Sequence, residues 1–439
     1  MPKDFVGLSY ESAQLGHPEF FSADNEQLIR LFCVISPNGV LRIGGNTEEY
    51  TTWSASDEDA AKNHTSSSIG PDAGTAAQTA SIITPRAIRN LRAFLDRTGW
   101  RAIYGLNLWH GTVENAVAAA KVVSEVLGSK LIAFQIGNEP DMDHEAGSKE
   151  RWTFDHYWQK WSGYHDALRE AVPNAKFAGP DIAKEYDWVT KMATMRPELL
   201  FLSGHYYAEG PPKDPKMTLE YLLHRGRDPA SEEIPIVQAA TRTLNRPFRM
   251  TEGNSCFHGG KPGVSDTFAS SLWCGDYMLQ VAQAGYIGVN LHSGGQGYYT
   301  PIAGSIDQGF SPRPVLYGGL LAQRFAGLTF LETSLSAQSE SQNVTAFAAA
   351  GSGRHWALAI FNKGVAPVSI TVDGLPQSPH ISRLRLLGPA IDSRDGVTFG
   401  GQTIEPDRNF EPRRENGPTM SHGRVTELLP SYSAVVLEG

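Results

Sequence analysis

The sequence predicts a (β/α)8 barrel followed by a C-terminal antiparallel β-sandwich domain. Three observations carry that reading. Short apolar runs alternate with longer amphipathic segments through roughly the first 320 residues, the pattern of repeated βα units around a parallel sheet. After Gly327 the runs become short, alternating and divided by Gly, Pro, Asn and Asp. No Gly-x-Gly-x-x-Gly turn follows the first apolar run, which leaves an open doubly wound sheet without support.

Taken in order, the expected barrel strands are Phe5–Ser9, Val40–Gly44, Ala102–Leu106, Leu131–Ile136, Lys176–Gly179, Leu200–Gly204, Phe248–Thr251 and Tyr286–Leu291, each rich in β-branched, Leu or aromatic residues. Helical periodicity fills the intervals, as in Asn25–Val34, Pro85–Arg97, Val113–Leu127, Phe154–Val172, Ser265–Ala284 and Pro314–Phe325. Residues 1–327 are therefore expected to form the barrel. Residues 328–439 are expected to form the sandwich, from Val344–Ala350, His355–Phe361, Val368–Val372, Leu384–Leu387 and Ser433–Leu437, with Gly400–Gly423 as a long polar loop. A second long loop, Ser54–Ala76, follows strand two at the end of the barrel where active sites form.

Composition excludes several classes. With 41% hydrophobic and 19% charged residues in 439, the chain is too apolar to stay disordered. Lys and Arg total 38 against 47 Asp and Glu, so the net charge of −9 provides no general basic coat for nucleic acid or an anionic membrane. No apolar run reaches the roughly 18 residues of a membrane span. Three cysteines, Cys33, Cys256 and Cys274, make neither a disulfide framework nor a four-thiolate zinc site. His-Glu-x-x-His, Walker and Gly-x-Ser-x-Gly motifs are absent, and Asp141-Met142-Asp143-His144-Glu145 reads as a polar loop without the closing ligand of a calcium site. No cofactor or metal is expected.

Barrel enzymes carry catalytic groups at the C-terminal ends of strands. There the sequence offers Gly44-Gly45-Asn46-Thr47-Glu48-Glu49 after strand two, Asn107 after three, Gly137-Asn138-Glu139-Pro140-Asp141 after four, Pro180-Asp181 after five, His205-Tyr206-Tyr207 after six and Glu252-Gly253-Asn254-Ser255 after seven. Glu139 and Glu252 stand out, because each follows an apolar run on opposed sides of the expected mouth. Facing carboxylates at roughly 5–5.5 Å are what a retaining glycosidase needs, one to protonate the glycosidic oxygen and one to attack the anomeric carbon. The plain alternative makes Glu139 a turn residue before Pro140 and pairs Glu252 with Arg249 or Lys261.

Gln135-Ile136-Gly137-Asn138-Glu139-Pro140, Gly204-His205-Tyr206-Tyr207 and Met250-Thr251-Glu252-Gly253-Asn254-Ser255-Cys256, followed by Gly259-Gly260-Lys261-Pro262, resemble the heparanase and bacterial β-glucuronidase family of retaining glycoside hydrolases, family 79 of clan A. The resemblance runs from Gly7 to about Gly327 and continues loosely into Pro430–Leu437. It implies that Glu139 is the general acid/base and Glu252 the nucleophile, the pair already selected by strand position. It further implies that Tyr207 donates to Glu252, that Asn138 contacts the sugar 2-hydroxyl, and that a glucuronate carboxylate is held by backbone N–H groups at His258-Gly259-Gly260 and by Tyr299 or its neighbour Tyr298. Glu49 and Asn107 would hold hydroxyls of the same sugar.

The chain departs from that pattern at Phe257, where relatives carry tyrosine, and in the short Ser293-Gly294-Gly295-Gln296-Gly297-Tyr298 segment, where exo-acting relatives place a long closing loop. The short segment favours endo cleavage within a glucuronate-containing polysaccharide such as heparan sulfate, with exo release of terminal glucuronic acid and a non-catalytic glycan-binding barrel as alternatives. Lys184, Lys213, Lys216, Arg225, Arg227, Arg242, Arg246 and Lys261 are the candidates for holding sulfates near the cleft. A polymeric substrate would place the protein outside the cytoplasm. The opening residues lack the apolar run of a signal peptide, so an export signal is expected to have been trimmed.

Overall fold

Eight parallel strands close into one barrel: β1 Val6–Glu11, β2 Val40–Gly44, β3 Arg101–Leu106, β4 Leu131–Ile136, β5 Phe177–Ile182, β6 Phe201–Glu209, β7 Phe248–Cys256 and β8 Gly288–Ser293. Each pairs with its sequence neighbours, and β8 closes the ring on β1. The computed structural model describes residues 1–63, 81–142, 152–225, 233–336, 342–352 and 355–439. All eight expected strands are present. Five run further at their C-terminal ends than apolar patterning indicates: β1 to Glu11, β5 to Ile182, β6 to Glu209, β7 to Cys256 and β8 to Ser293. The added residues are polar, yet they stay paired across strands, Tyr207 with Asn254 and Glu209 with Cys256, because here the barrel interior is a site and not an apolar core. Register shifts between Pro180 and Ile182 and between Gly204 and His205 re-aim the side chains at these strand ends.

The helices are α1 Glu26–Ile35, α2 Pro85–Thr98, α3 Val113–Leu127, α4 Phe154–Ala171, α5 Asp187–Met195, α6 Glu233–Leu244, α7 Phe268–Gln283 and α8 Pro314–Gln323. Local chemistry starts them where the sequence indicates. Asn25, Thr112 and Thr153 accept from the N–H three residues on, and Pro85 and Pro314 sit in first turns. Most present one apolar stripe to the barrel, whereas α7 and α8 are buried nearly all round. They lie between the barrel and a second sheet.

That sheet is antiparallel and orders Thr329–Phe330, Val344–Ala350, Trp356–Asn362, Ser433–Glu438, Ser382–Leu387 and Thr398–Phe399, with Val368–Val372 and Val425–Leu429 forming a separate pair. Its alternation divides the two faces. Phe347, Ala349, Phe361, Leu384 and Val436 join the barrel's hydrophobic core, while Trp356, Leu358, Ile360, Val435 and Leu437 pack with Ile370 and Leu429 of the pair. The expected sandwich strands are all present, and the Gly400–Gly423 stretch is irregular apart from Glu415–Asn416 and isolated bridges. Among the described residues, no helix is long and apolar enough to cross a membrane. The Ser54–Ala76 loop from residue 64 onward, Arg227, Asp143 and Glu145 lie outside the described residues.

Trp100 closes the bottom of β3: it is fully buried, its ring lies 4.5 Å from that of Phe32, and Nε1 donates to the Ser36 carbonyl at 2.7 Å. Trp100→Ala is expected to lower unfolding free energy by about 3–5 kcal/mol, measured by urea denaturation; a loss below about 1 kcal/mol would show that the strand bottom repacks freely.

Candidate active site

Arg42 sits at an inward position of β2, fully buried on the barrel axis. Its guanidinium uses all of its donor directions. Nε donates to Gln135 Oε1 (3.3 Å), Nη1 to Ser9 Oγ (3.2 Å) and Glu252 Oε2 (2.7 Å), and Nη2 to Asn138 Oδ1 (2.7 Å) and Asp181 Oδ2 (2.6 Å). Gly44 makes room for it, since a Cβ there would stand 2.1 Å from Arg42 Cζ. The plain alternative from sequence paired Glu252 with Arg249 or Lys261. Neither pairs with it: Arg249 bonds Asn290 and the carbonyls of Asp4 and Phe5, and Lys261 bonds the Asp214 carbonyl.

Glu252 is held from both sides. Tyr207 donates its hydroxyl to Oε1 at 2.6 Å, and Oε2 accepts from Arg42 and lies 3.3 Å from His292 Nδ1. Burial alone would raise its pKa. The charges of His292, His205 and Arg42 outweigh burial and hold the carboxyl well below the ordinary range, so Glu252 is ionised. His292 also lies 3.4 Å from Glu11 Oε1, and its pKa is pushed up to about 10 against burial by Glu252 and Glu11.

Glu139 leaves β4 in the left-handed region, at φ 47°, with its N–H on the Asp181 carbonyl at 3.0 Å. Its Oε1 lies 2.9 Å from His205 Nδ1, and 17% of its side chain is exposed against 7% for Glu252. A carboxylate oxygen of each glutamate and a ring nitrogen of His205 all lie within 4.8 Å of one another. That is short of the roughly 6.5–9.5 Å that leaves room for an attacking water between two carboxyls. The three groups are also of metal-ligand types. Carboxylates stand beside both ring nitrogens of His205, and against burial their charges push its pKa up to about 10.

Asn138 joins this cluster, with Nδ2 on Asn46 Oδ1 at 3.2 Å. The Tyr299 ring lies 6.1 Å from that of Tyr207 and 5.6 Å from His292. His258, Gly259 and Gly260 have three successive positive φ angles of 57°, 82° and 84°. The Gly259 carbonyl accepts from the N–H of Tyr298 at 2.6 Å, which sets the turn beside the 298–299 segment. A Cβ on Gly260 would stand 2.7 Å from the Tyr299 nitrogen, so the close approach requires glycine.

Glu49 and Asn107, the two further expected sugar contacts, are both engaged by backbone groups. Glu49 is fully buried, and its oxygens accept from the N–H groups of Leu108, Trp109 and Asn138 at 2.7–2.8 Å, buckling three strand ends together behind the site. Asn107 bonds Thr51, His110 and Gly111 and shapes its own turn. The basic residues divide as well. Lys184, Lys213 and Lys216 follow β5 and β6 at the mouth and are exposed, but Arg242 in the last turn of α6 and Arg246 between α6 and β7 lie at the opposite end of the barrel. Arg42, Glu11 and the use made of Asp181, His205 and His292 were missed from sequence. The signal for Arg42 was present, an Arg at an inward position of an apolar run.

No protein-family model matches the chain. Two fungal proteins named β-glucuronidase are similar to it. That of Neurospora crassa is 26% identical over 289 residues, 58% of this chain and 50% of the relative. That of Aspergillus niger is 23% identical over 323 residues, 66% and 58% respectively. The chain therefore spans about half the length of the curated relatives it matches. Among solved structures, a 4-O-α-L-rhamnosyl-β-D-glucuronidase from Fusarium oxysporum 12S matches 100% of this chain and 96% of its own with a TM-score of 0.77 at 20% identity. A family 51 α-L-arabinofuranosidase from Bifidobacterium longum matches with a TM-score of 0.66 at 15% identity, over 100% and 96%. The fold is that of these glycosidases, a barrel with a sandwich domain.

His205 and His292 make the site a pH-linked source of stability. Both have folded-state pKa values near about 10 against an ordinary 6.5. Their contribution is complete below about pH 6.5 and is lost as pH rises to about 10, because over that window the folded chain binds the extra protons. Urea midpoints are expected to fall steadily from pH 6.5 to 10, and less steeply in His292→Gln; parallel profiles for the two proteins would contradict the charged His292.

Proposed function

We propose that the chain is a retaining β-glucuronidase, with Glu139 as general acid/base and Glu252 as nucleophile. The observation that carries this reading is the meeting of two carboxylates at the barrel mouth in opposite surroundings. Glu252 is fixed as an anion by Arg42, His292 and Tyr207, while Glu139 is the more open of the two and faces His205. In the first step a Glu252 oxygen forms a bond to the anomeric carbon as the glycosidic bond breaks, and the Glu139 proton goes to the departing oxygen. In the second, Glu139 takes a proton from water, the hydroxide forms the new bond to that carbon, and Glu252 leaves as carboxylate. The β configuration is thereby restored.

The glucuronate reading is supported by the two relatives' names and by the turn at His258–Gly260. On this reading its backbone N–H groups are the donors to the sugar carboxylate, and no arginine is called on. Phe257 brings no hydroxyl there, so selectivity for the acid over the neutral sugar rests on backbone N–H groups and Tyr299.

The reading extends to a glucuronate that carries a further sugar. The short Ser293–Tyr298 segment, pinned by its N–H to Gly259, supports endo cleavage of a glucuronate-bearing polysaccharide. A second reading is favoured by the Fusarium enzyme, whose name describes a glucuronate bearing rhamnose: release of a capped disaccharide from a chain end.

Glu252→Gln is expected to abolish turnover of 4-nitrophenyl β-glucuronide. Glu139→Gln should cost on the order of 10²–10⁴-fold on substrates whose leaving group needs a proton. Hydrolysis followed by proton NMR should show the β anomer first. Normal turnover by Glu252→Gln, or initial α product, would sink the assignment. Sized glucuronate oligosaccharides separate the two substrate readings: internal fragments support endo action, and disaccharide released from one end supports the capped-end reading. Free glucuronic acid as sole product would contradict both.

A further inference from the structure

Asp181 takes no part in the two-carboxylate chemistry, yet it touches both arms of it. It is 1% exposed and held at φ 65°. Oδ1 accepts from Gln135 Nε2 at 2.5 Å and from the Thr251 hydroxyl. Oδ2 accepts from Arg42 Nη2 at 2.6 Å and lies 3.2 Å from His205 Nε2. Its carbonyl accepts the Glu139 N–H. Both carboxylate oxygens are thus engaged, by three hydrogen bonds and by the ion-pair contact with His205, the residue that meets Glu139.

We propose, on the retaining-glycosidase reading above, that Asp181 is the positioning residue of the acid/base arm. It anchors the His205 ring so that Nδ1–H donates to Glu139 Oε1, and the proton delivered to the leaving group is carried on Oε2. Carboxylates stand beside both ring nitrogens, Glu139 in hydrogen-bond geometry to Nδ1 and Asp181 at ion-pair distance from Nε2 without a hydrogen bond, and their charges favour the doubly protonated ring. His205 is pushed up to about 10: burial opposes the charge, and Asp181, Glu252 and Glu139 outweigh it. Asp181 itself is held well below the ordinary carboxylate range by Arg42 and His205, against burial. The groups facing the ring are Asp181 on β5, Glu139 after β4 and Glu252 on β7, with Arg42 of β2 beyond Asp181. Tyr186 fixes the strand beneath, donating to the His205 carbonyl at 2.5 Å, with its oxygen 2.8 Å from Glu233 Oε2. During cleavage the proton leaves Oε2 for the glycosidic oxygen, which departs with the bonding electron pair. His205 keeps both protons, and its charge faces the carboxylate that forms.

Asp181→Asn tests this, since its amide sets a donor against Arg42 or His205. With phenyl β-glucuronide, whose leaving group needs protonation, kcat should fall about 100-fold; with 2,4-dinitrophenyl β-glucuronide it should fall less than about tenfold. In ¹⁵N-histidine NMR, His205 of the unaltered protein should remain doubly protonated at pH 8, and in Asp181→Asn it should titrate near its ordinary 6.5. Equal losses on both substrates, or a His205 that is neutral at pH 8 in the unaltered protein, would overturn the proposal. The second measurement decides even where the variant fails to fold. An unaltered protein that cleaves neither glucuronide would refute the glucuronidase reading, while the NMR result would still stand or fall by itself.

Discussion

The site is organised around one buried guanidinium. A cation on the axis of a barrel is costly to desolvate and persists only where its donors are matched by well-placed acceptors. Arg42 meets that condition: two of its five acceptors are carboxylates, on β5 and β7, and the others are Ser9, Gln135 and Asn138 from β1, β4 and the turn after β4. A single side chain thus ties together the interior ends of five segments. The glycines around it follow from the same constraint, because Gly44 leaves the volume that the guanidinium fills and Gly105 leaves that of Glu48. Glu48, 4.0 Å from Arg42, is pushed well above the carboxylate range by burial and by Glu49, so it fills space there without adding a full negative charge.

From that anchor the two glutamates acquire different characters, although they are the same residue type on the same barrel. Glu252 faces Arg42, His292 and the Tyr207 hydroxyl directly, and charge is what this position stabilises. Glu139 reaches the cation only through Asn138, Asp181 and His205. Separation of roles by environment is what acid–base chemistry with two like groups demands. Here it is achieved by placing one carboxylate one contact from the guanidinium and the other two contacts away.

Apolar patterning located all eight barrel strands within a few residues, because the outer and lower parts of each strand are packed and carry a clear signal. It failed where packing stops. Beyond Gly179, Gly204 and Thr251 the strands continue on cross-strand pairing alone, through polar residues that in isolation read as loop. Strand ends therefore offered the two carboxylates that the structure brings together, but gave the residues around them poorly. Glu49 and Asn107 have the composition of sugar ligands, but strand-end position does not reveal whether a side chain turns toward the cleft or back onto backbone N–H groups. Arg242 and Arg246 illustrate a different failure. Sequence proximity to a strand does not distinguish its top from its bottom, whereas a residue between a helix and the following strand must lie opposite the mouth.

The C-terminal sheet bears on the site through α7. This helix begins just after the turn at His258–Gly260, and its first N–H groups have no acceptor within the helix. The second domain supplies acceptors: Phe268 donates to the Ser393 carbonyl at 2.8 Å and Ala269 to that of Ile391 at 3.0 Å. Arg394 stands 3.1 Å from Asp266, whose other oxygen accepts the Gly263 N–H. Further along α7, Asp276 meets Thr345 and Lys363, and Gly275 lets the Phe361 ring approach. The segment from Gly263 to the start of α7 is thus tied to residues 391–394, and this segment carries the chain away from the His258–Gly260 turn. One end of that turn is β7 and, through Gly263 and Asp266, the other rests on the sandwich, which makes that domain part of the scaffold of the turn.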